Sequence, residues 1–220
     1  FFPDTYIFTP GSTDYDLLRR AYQEGQRILQ DTWAKRQAGL PVATPYEALV
    51  LASIIEKETG HGPDRRRVSG VFTNRLKIGM LLQTDPTVIY GMGENYQGRI
   101  RKRDLQTDTP WNTYTRPGLP PTPIAAAGRA ALLAAVQPEQ HKYLFFVSRG
   151  NGTSEFAENL SGHNRNVSRY ILGQGQTTRP TAVPAPAGAP NAPAAAPADP
   201  GPAAGASPET DSETAQGQDQ

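Results

Sequence analysis

TPYEALVLASIIEKETG, residues Thr44 to Gly60, reads as one helix with a well-marked start and stop. Thr44 is a good N-cap. Pro45 occupies the first helical position, where a missing N–H costs nothing. Glu47 falls three residues after the cap, where its carboxylate can reach back to the Thr44 N–H. Leu49, Val50, Leu51, Ala52, Ile54 and Ile55 make the helix apolar around most of its circumference, the pattern of a buried helix. Gly60 ends it. Into this apolar rod the sequence sets Glu56, Lys57 and Glu58. Helical spacing puts Glu56 over Leu49 and Ala52, Glu58 nearer Leu51 and Ile54, and Lys57 near Ser53 on the polar side. A carboxyl flanked by apolar side chains is desolvated, which favours its protonated form and suits it to proton donation. The plainer account is that these charges mark where the helix leaves the core.

The flanking segments supply the partners of such a helix. Phe1 to Phe8 is aromatic and punctuated by Pro3 and Asp4, which suggests a packed edge or loop. A helix begins near Ser12 or Thr13 and carries the stripe Leu17, Leu18, Ala21, Tyr22, Ile28, Leu29 and Trp33. A third helix opens at Pro63 and Asp64, repeats Val68, Val71, Phe72 and Arg75 on one face, and closes at Gly79. Its Arg65, Arg66 and Arg67 lie at the end the helix dipole disfavours; solvated surface or an anion contact would both account for them. Asp85-Pro86 opens a short helix through Tyr90. The basic run Arg99 to Asp104 reads as surface. Thr109 to Pro123 is a proline-constrained loop whose Trp111, Asn112, Tyr114 and Arg116 are sugar-contacting types, with flat apolar faces beside hydrogen-bonding groups. A helix is expected over Pro123 to Val136. Strands are expected over Tyr143 to Val147 and Thr153 to Ala157, joined by a turn at Arg149 to Gly152. A last helix runs from Ser161 to Ile171.

The 220-residue chain carries a formal net charge of +1, so nothing marks a nucleic-acid partner. It has no cysteine, which excludes disulfides and thiolate chemistry. No apolar run is long enough to span a membrane. No nucleotide-binding loop is present, and His61, His141 and His163 lack metal-ligand spacing, so no cofactor or metal is expected. The opening Phe1-Phe2-Pro3, without Met, reads as the start of a fragment. From about Gly173 the composition turns to Pro, Ala and Gly, then to Ser, Glu, Gln and Asp, which predicts a disordered tail. The expectation is one α+β domain over residues 1–172, several helices with a small sheet and a hairpin near 143–157, followed by a tail over 173–220.

Several long stretches, in order, carry a resemblance. FPDTY at Phe2 to Tyr6, LASIIEKET at Leu51 to Thr59, VFTNRLKIGMLLQTDPTVIYG at Val71 to Gly91, NTYTRPGLPPTPI at Asn112 to Ile124 and YLFFVSRGNGTSEFAENLSGHN at Tyr143 to Asn164 resemble the endolytic murein transglycosylase family, the MltG or YceG-like proteins. The resemblance implies non-hydrolytic cleavage of the MurNAc–GlcNAc bond of nascent peptidoglycan strands, leaving 1,6-anhydro-MurNAc ends and terminating strand elongation. It puts the catalytic acid on the first glutamate of the EKET motif, Glu56, with Glu58 as the second choice. Gln83, Thr84, Asp85, Asn112, Tyr114 and Glu155 lie in the matching motifs and are the candidates for substrate binding. Peptidoglycan synthases are candidate partners. The resemblance also implies a transmembrane protein of the bacterial inner membrane, its catalytic part on the periplasmic side, with the anchor and a LysM-like subdomain outside this chain.

One carboxyl suffices for a lytic reaction, because the muramic acid C6 hydroxyl attacks in place of water. A hydrolase needs a second carboxylate. Two other classes stay open on the residues alone. A hydrolytic muramidase would pair Glu56 with Asp85 or Glu155. A non-catalytic peptidoglycan-binding or scaffold module would use Glu56 only as a charge.

Overall fold

A computed structural model of the chain describes residues 1–173. In order it runs α1 (Asp14–Trp33), α2 (Pro45–Glu58), α3 (Gly62–Lys77), α4 (Asp85–Met92), α5 (Lys102–Gln106), α6 (Arg129–Val136), strands β1 (Phe145–Ser148) and β2 (Ser154–Ala157), and α7 (Leu160–Val167). Short turns of tighter and wider helix follow α4 at Gly93–Asn95 and α7 at Ser168–Leu172. The domain is mostly helical with one two-stranded antiparallel hairpin, the α+β class expected. The predicted tail falls on residues 174–220, outside the described residues.

The core is built around α2. Ala48, Leu51, Ala52, Ile54 and Ile55 are fully buried, and α6 packs along them most extensively, with α1, α3 and α4 on the remaining sides. Leu51, Ile54 and Ile55 each contribute about 1.5–3 kcal/mol by leaving water. The cap forms with one change of partner. Thr44 Oγ1 accepts from the Glu47 N–H at 3.2 Å, but the Glu47 carboxylate reaches past the cap to the Ala43 N–H at 2.6 Å. Ser53, expected on a polar side, is buried. Its hydroxyl donates to the Val50 carbonyl at 2.7 Å and accepts from the Ile124 N–H at 2.9 Å.

The helix expected from Pro123 begins only at Arg129. The Gly128 N–H, which such a helix would direct at the Ile124 carbonyl, donates instead to Glu56 of α2, beside the Ile124 bond to Ser53. The last helix is also interrupted, at Val167, where the backbone widens into the turn over Ser168–Leu172. The basic stretch near Arg99 contains α5, capped by an Arg101 N–H bond to Asp104 at 2.8 Å.

All four residues of the predicted α3 face, Val68, Val71, Phe72 and Arg75, are buried. Arg66 and Arg67 join α3 to the segment after α6: Arg66 Nε donates to the Gln137 carbonyl at 2.8 Å and Arg67 Nε to Glu139 at 2.9 Å. Gly70 lets that segment approach. A Cβ there would lie 2.5 Å from the Glu139 carbonyl oxygen and against the His141 ring. His141 Nδ1 accepts from the Tyr143 N–H, which leaves Nε2 to donate to the Arg67 carbonyl at 2.9 Å.

The expected transmembrane character and inner-membrane placement are corrected here. Among the described residues no helix is long and apolar enough to cross a membrane. The longest, α1, carries charges along its length and exposes much of its surface.

Candidate functional site

The last turn of α2 emerges from the core with its two carboxylates pointing to different neighbours. Glu56 faces the N-terminus of α6, where its Oε2 accepts from the Gly128 N–H at 3.0 Å. An N–H at a helix start, reinforced by the helix dipole, is a natural anion partner. Glu56 is partly exposed, and its Oε1 has no hydrogen-bond partner among the described residues.

Glu58 turns instead toward the start of α4. The Thr84 hydroxyl donates to Glu58 Oε1 in a short bond. Burial pushes the Glu58 carboxyl up to about 7, against the Thr84 bond; the Asp85 charge adds to the rise and Arg75 opposes it. Beside it the Tyr114 hydroxyl donates to Asp85 Oδ1, also in a short bond. Burial first, then the bond to Asp85, raise the Tyr114 phenol above its ordinary range, so it stays a donor.

A threonine network holds this face. Thr84 N–H donates to Thr113 Oγ1 at 3.1 Å, and Thr87 Oγ1 donates to the Thr84 carbonyl at 2.7 Å. With the Thr87 proton so committed, the 2.9 Å contact between Thr87 and Thr113 runs from the Thr113 hydroxyl to Thr87 Oγ1. Arg75 lies beneath. Its Nε donates to the Leu144 carbonyl at 2.7 Å, and its Nη1 donates to those of Leu81 and Leu82 at 3.2 and 2.8 Å.

The sequence-derived candidates therefore divide. Glu58, Thr84, Asp85 and Tyr114 come together, with Gln83 exposed beside them. Glu56 lies on the same helix end but faces α6. Asn112 is not at a surface at all. It is fully buried, its Nδ2 donates to the carbonyls of Leu105 and Thr107 at 3.0 and 2.7 Å, and its Oδ1 accepts from the Tyr114 N–H at 2.8 Å. Its amide is consumed by the loop it folds, so it cannot reach a ligand. Glu155 is bound within the hairpin region by Arg149 and by the Tyr170 hydroxyl at 3.0 Å. It shares no hydrogen bond with the Glu58 group. Trp111 stands edge-on to Tyr90 and donates from its indole to Thr122, while Arg116 pairs with Asp108.

Arg75, Thr87 and Thr113 were not singled out for the site by the residues alone. The signal for Arg75 was present, a cation in register with Val68, Val71 and Phe72 on a face that had to be buried. Nothing local marked the two threonines.

The YceG-like family model matches residues 1–169. An endolytic murein transglycosylase of Bacillus subtilis is 37% identical over 170 residues, covering 77% of this chain and 47% of the relative. One of Streptococcus pneumoniae is 32% identical over 175 residues, covering 77% and 31%. A solved YceG-like protein from Listeria monocytogenes matches with a TM-score of 0.64 at 35% identity, over 75% of this chain and 53% of that one. The chain thus spans about half or less of the length of the curated relatives it matches. Over residues 1–169 the chain belongs to the YceG-like family, and the two endolytic murein transglycosylases are its relatives within it.

Proposed function

We propose that the chain carries the catalytic part of an endolytic peptidoglycan transglycosylase, with Glu56 as the group that both donates and accepts the proton. The observation that carries this reading is the setting of Glu56. It stands at the exit of a buried helix, one oxygen fixed by Gly128 and the other open to a ligand. Protonated, it gives its proton to the glycosidic oxygen as the bond from MurNAc C1 to GlcNAc breaks. As carboxylate it takes the proton of the MurNAc C6 hydroxyl, whose oxygen bonds C1 and closes the 1,6-anhydro ring. No water enters and no second nucleophile is needed, unlike the hydrolytic scheme. Gln83, Asp85 and Tyr114 form the polar face along which the strand lies, with the buried Thr84 holding Glu58 behind it. Such cuts in nascent strands would terminate their elongation during wall assembly.

A second assignment within the same reaction is favoured by one observation. Glu58 is the carboxyl that burial brings to about 7, and it could hold the transferable proton near neutrality. The experiment that separates the two is mass spectrometry of glycan ends released from uncross-linked strands by wild type, Glu56→Gln and Glu58→Gln. Loss of anhydro ends with Glu56→Gln, and only partial loss with Glu58→Gln, is the expected result. The converse pattern moves the acid to Glu58. Reducing ends in place of anhydro ends would mean hydrolysis. Strand binding without cleavage by wild type would leave a binding module.

A further inference from the structure

Gln83 is the one described residue other than glycine with a left-handed backbone, at φ 51°. A side chain in that conformation strains the backbone, and glycine would relieve the strain. Gly79, four residues earlier, takes the left-handed form in the ordinary way, at φ 68°. The chain places glycine where only the turn matters and glutamine where the side chain is exposed, one residue before the Thr84 that bonds Glu58.

The strain is held from both sides. Upstream, Arg75 grips the carbonyls of Leu81 and Leu82. Downstream, Thr113 takes the Gln83 N–H at its carbonyl, at 3.1 Å, and the Thr84 N–H at its hydroxyl. Arg75 is 8% exposed and has no carboxylate bonded to it; its hydrogen bonds go to three carbonyls, and its guanidinium lies 5.1 Å from the centre of the Phe145 ring. A buried cation is a costly way to join backbone segments that an apolar side chain could pack. Its planar fork does what lysine cannot, reaching several carbonyls in fixed directions.

We infer that Arg75 is a positioning residue for substrate: it holds residues 81–82 so that Gln83, in its strained conformation, presents its amide to the acetamido and hydroxyl groups of an amino-sugar strand. The inference rests on the proposed function for the identity of the ligand. One amide supplies an acceptor and two donors, which matches an acetamido group. Strain kept at an exposed polar side chain is what a ligand contact requires and what stability alone would have discarded.

The test is a double-mutant cycle with Arg75→Lys and Gln83→Gly in the full 220-residue chain, read by urea unfolding and by the Kd for purified uncross-linked glycan strands. Gln83→Gly is expected to be as stable as wild type or more so, yet to bind strands about tenfold more weakly, the equivalent of one to two hydrogen bonds. Arg75→Lys is expected to weaken binding comparably, and the double variant to bind no worse than Gln83→Gly. Equal losses from Arg75→Lys in the wild-type and Gln83→Gly backgrounds would make Arg75 a plain structural staple and overturn the inference. Wild-type affinity in Gln83→Gly would overturn it as well, and that variant decides the matter should Arg75→Lys not fold. Failure of the wild-type chain to bind or cleave strands refutes the proposed function and the ligand contact with it. The unfolding data then still show, by coupling or its absence, whether Arg75 braces Gln83.

Discussion

Glu58 and Thr84 are joined by a short hydrogen bond from the threonine hydroxyl to the carboxyl, and this bond ties the end of α2 to the start of α4. The carboxyl is buried enough to hold its proton up to about 7, from an ordinary value of 4.5. A carboxyl raised in the folded state stabilises the fold below its unfolded pKa, and that contribution is lost as pH climbs through the folded one. Unfolding free energy is therefore expected to fall between about 4.5 and about 7 and to flatten above. Glu58→Gln, isosteric with the protonated form, is expected to remove most of that slope and to be the more stable protein above about pH 7. Urea unfolding across this range checks it; an unchanged slope in the variant would place the titration elsewhere.

Asn112→Ala is expected to act on stability and not on ligand contact. The amide makes bonds to Leu105, Thr107 and Tyr114 inside the loop, and removal leaves two part-buried carbonyls without their donor and the Tyr114 N–H without its acceptor. Each such group costs about 1–3 kcal/mol. A loss of about 2–4 kcal/mol by denaturant melting is the expected outcome. A variant of wild-type stability with weakened strand binding would restore Asn112 as a contact residue.

Gly70→Ala tests the close approach of α3 to the segment after α6. The added methyl would meet the Glu139 carbonyl oxygen at 2.5 Å, a backbone atom that cannot swing aside. Overpacking of this kind costs about 1–3 kcal/mol, against about 0.5–1 kcal/mol gained in helix propensity. A net fall in unfolding free energy is expected; a rise would mean that the Glu139 segment yields freely.

These contrasts show what the residues alone could convey. The caps, the apolar circumference of α2, the face of α3 and the hairpin with its Asn151-Gly152 turn are local, and local chemistry specified them. The start of α6 is not local, because the Gly128 N–H that would extend the helix backward is claimed by Glu56, which lies far earlier in the chain. Asn112 looked like a sugar-contacting residue because composition cannot tell an amide that folds its own loop from one that faces a ligand. Glu56 and Glu58 were both visible as charges in an apolar helix. Which of them is drier depends on α4 and α6, and that is a tertiary fact.

The bond from the Gly128 N–H to Glu56 Oε2, at 3.0 Å, can be deleted without altering the Glu56 side chain. At Gly128 a Cβ would rest 3.5 Å from Glu56 Oε2, an ordinary contact, and the backbone sits at φ −78°, ψ 170°. Both alanine and proline accept such a conformation, but proline removes the N–H that Glu56 accepts. Gly128→Ala therefore keeps the bond, and Gly128→Pro deletes it and sets a ring carbon where the proton was. Hydrogen bonds to charged groups contribute about 1.5–3 kcal/mol. Without this one, the carboxylate form loses its fixed partner and the side chain its fixed orientation. Turnover per folded molecule is expected to stay within about twofold for Gly128→Ala and to drop about tenfold or more for Gly128→Pro, with the larger change in kcat than in KM. Circular dichroism and denaturant melts run alongside fix the folded fraction. Equal turnover in the two variants would show that the Gly128 N–H has no part in placing Glu56, and the open oxygen of that side chain would then owe its direction to the helix alone.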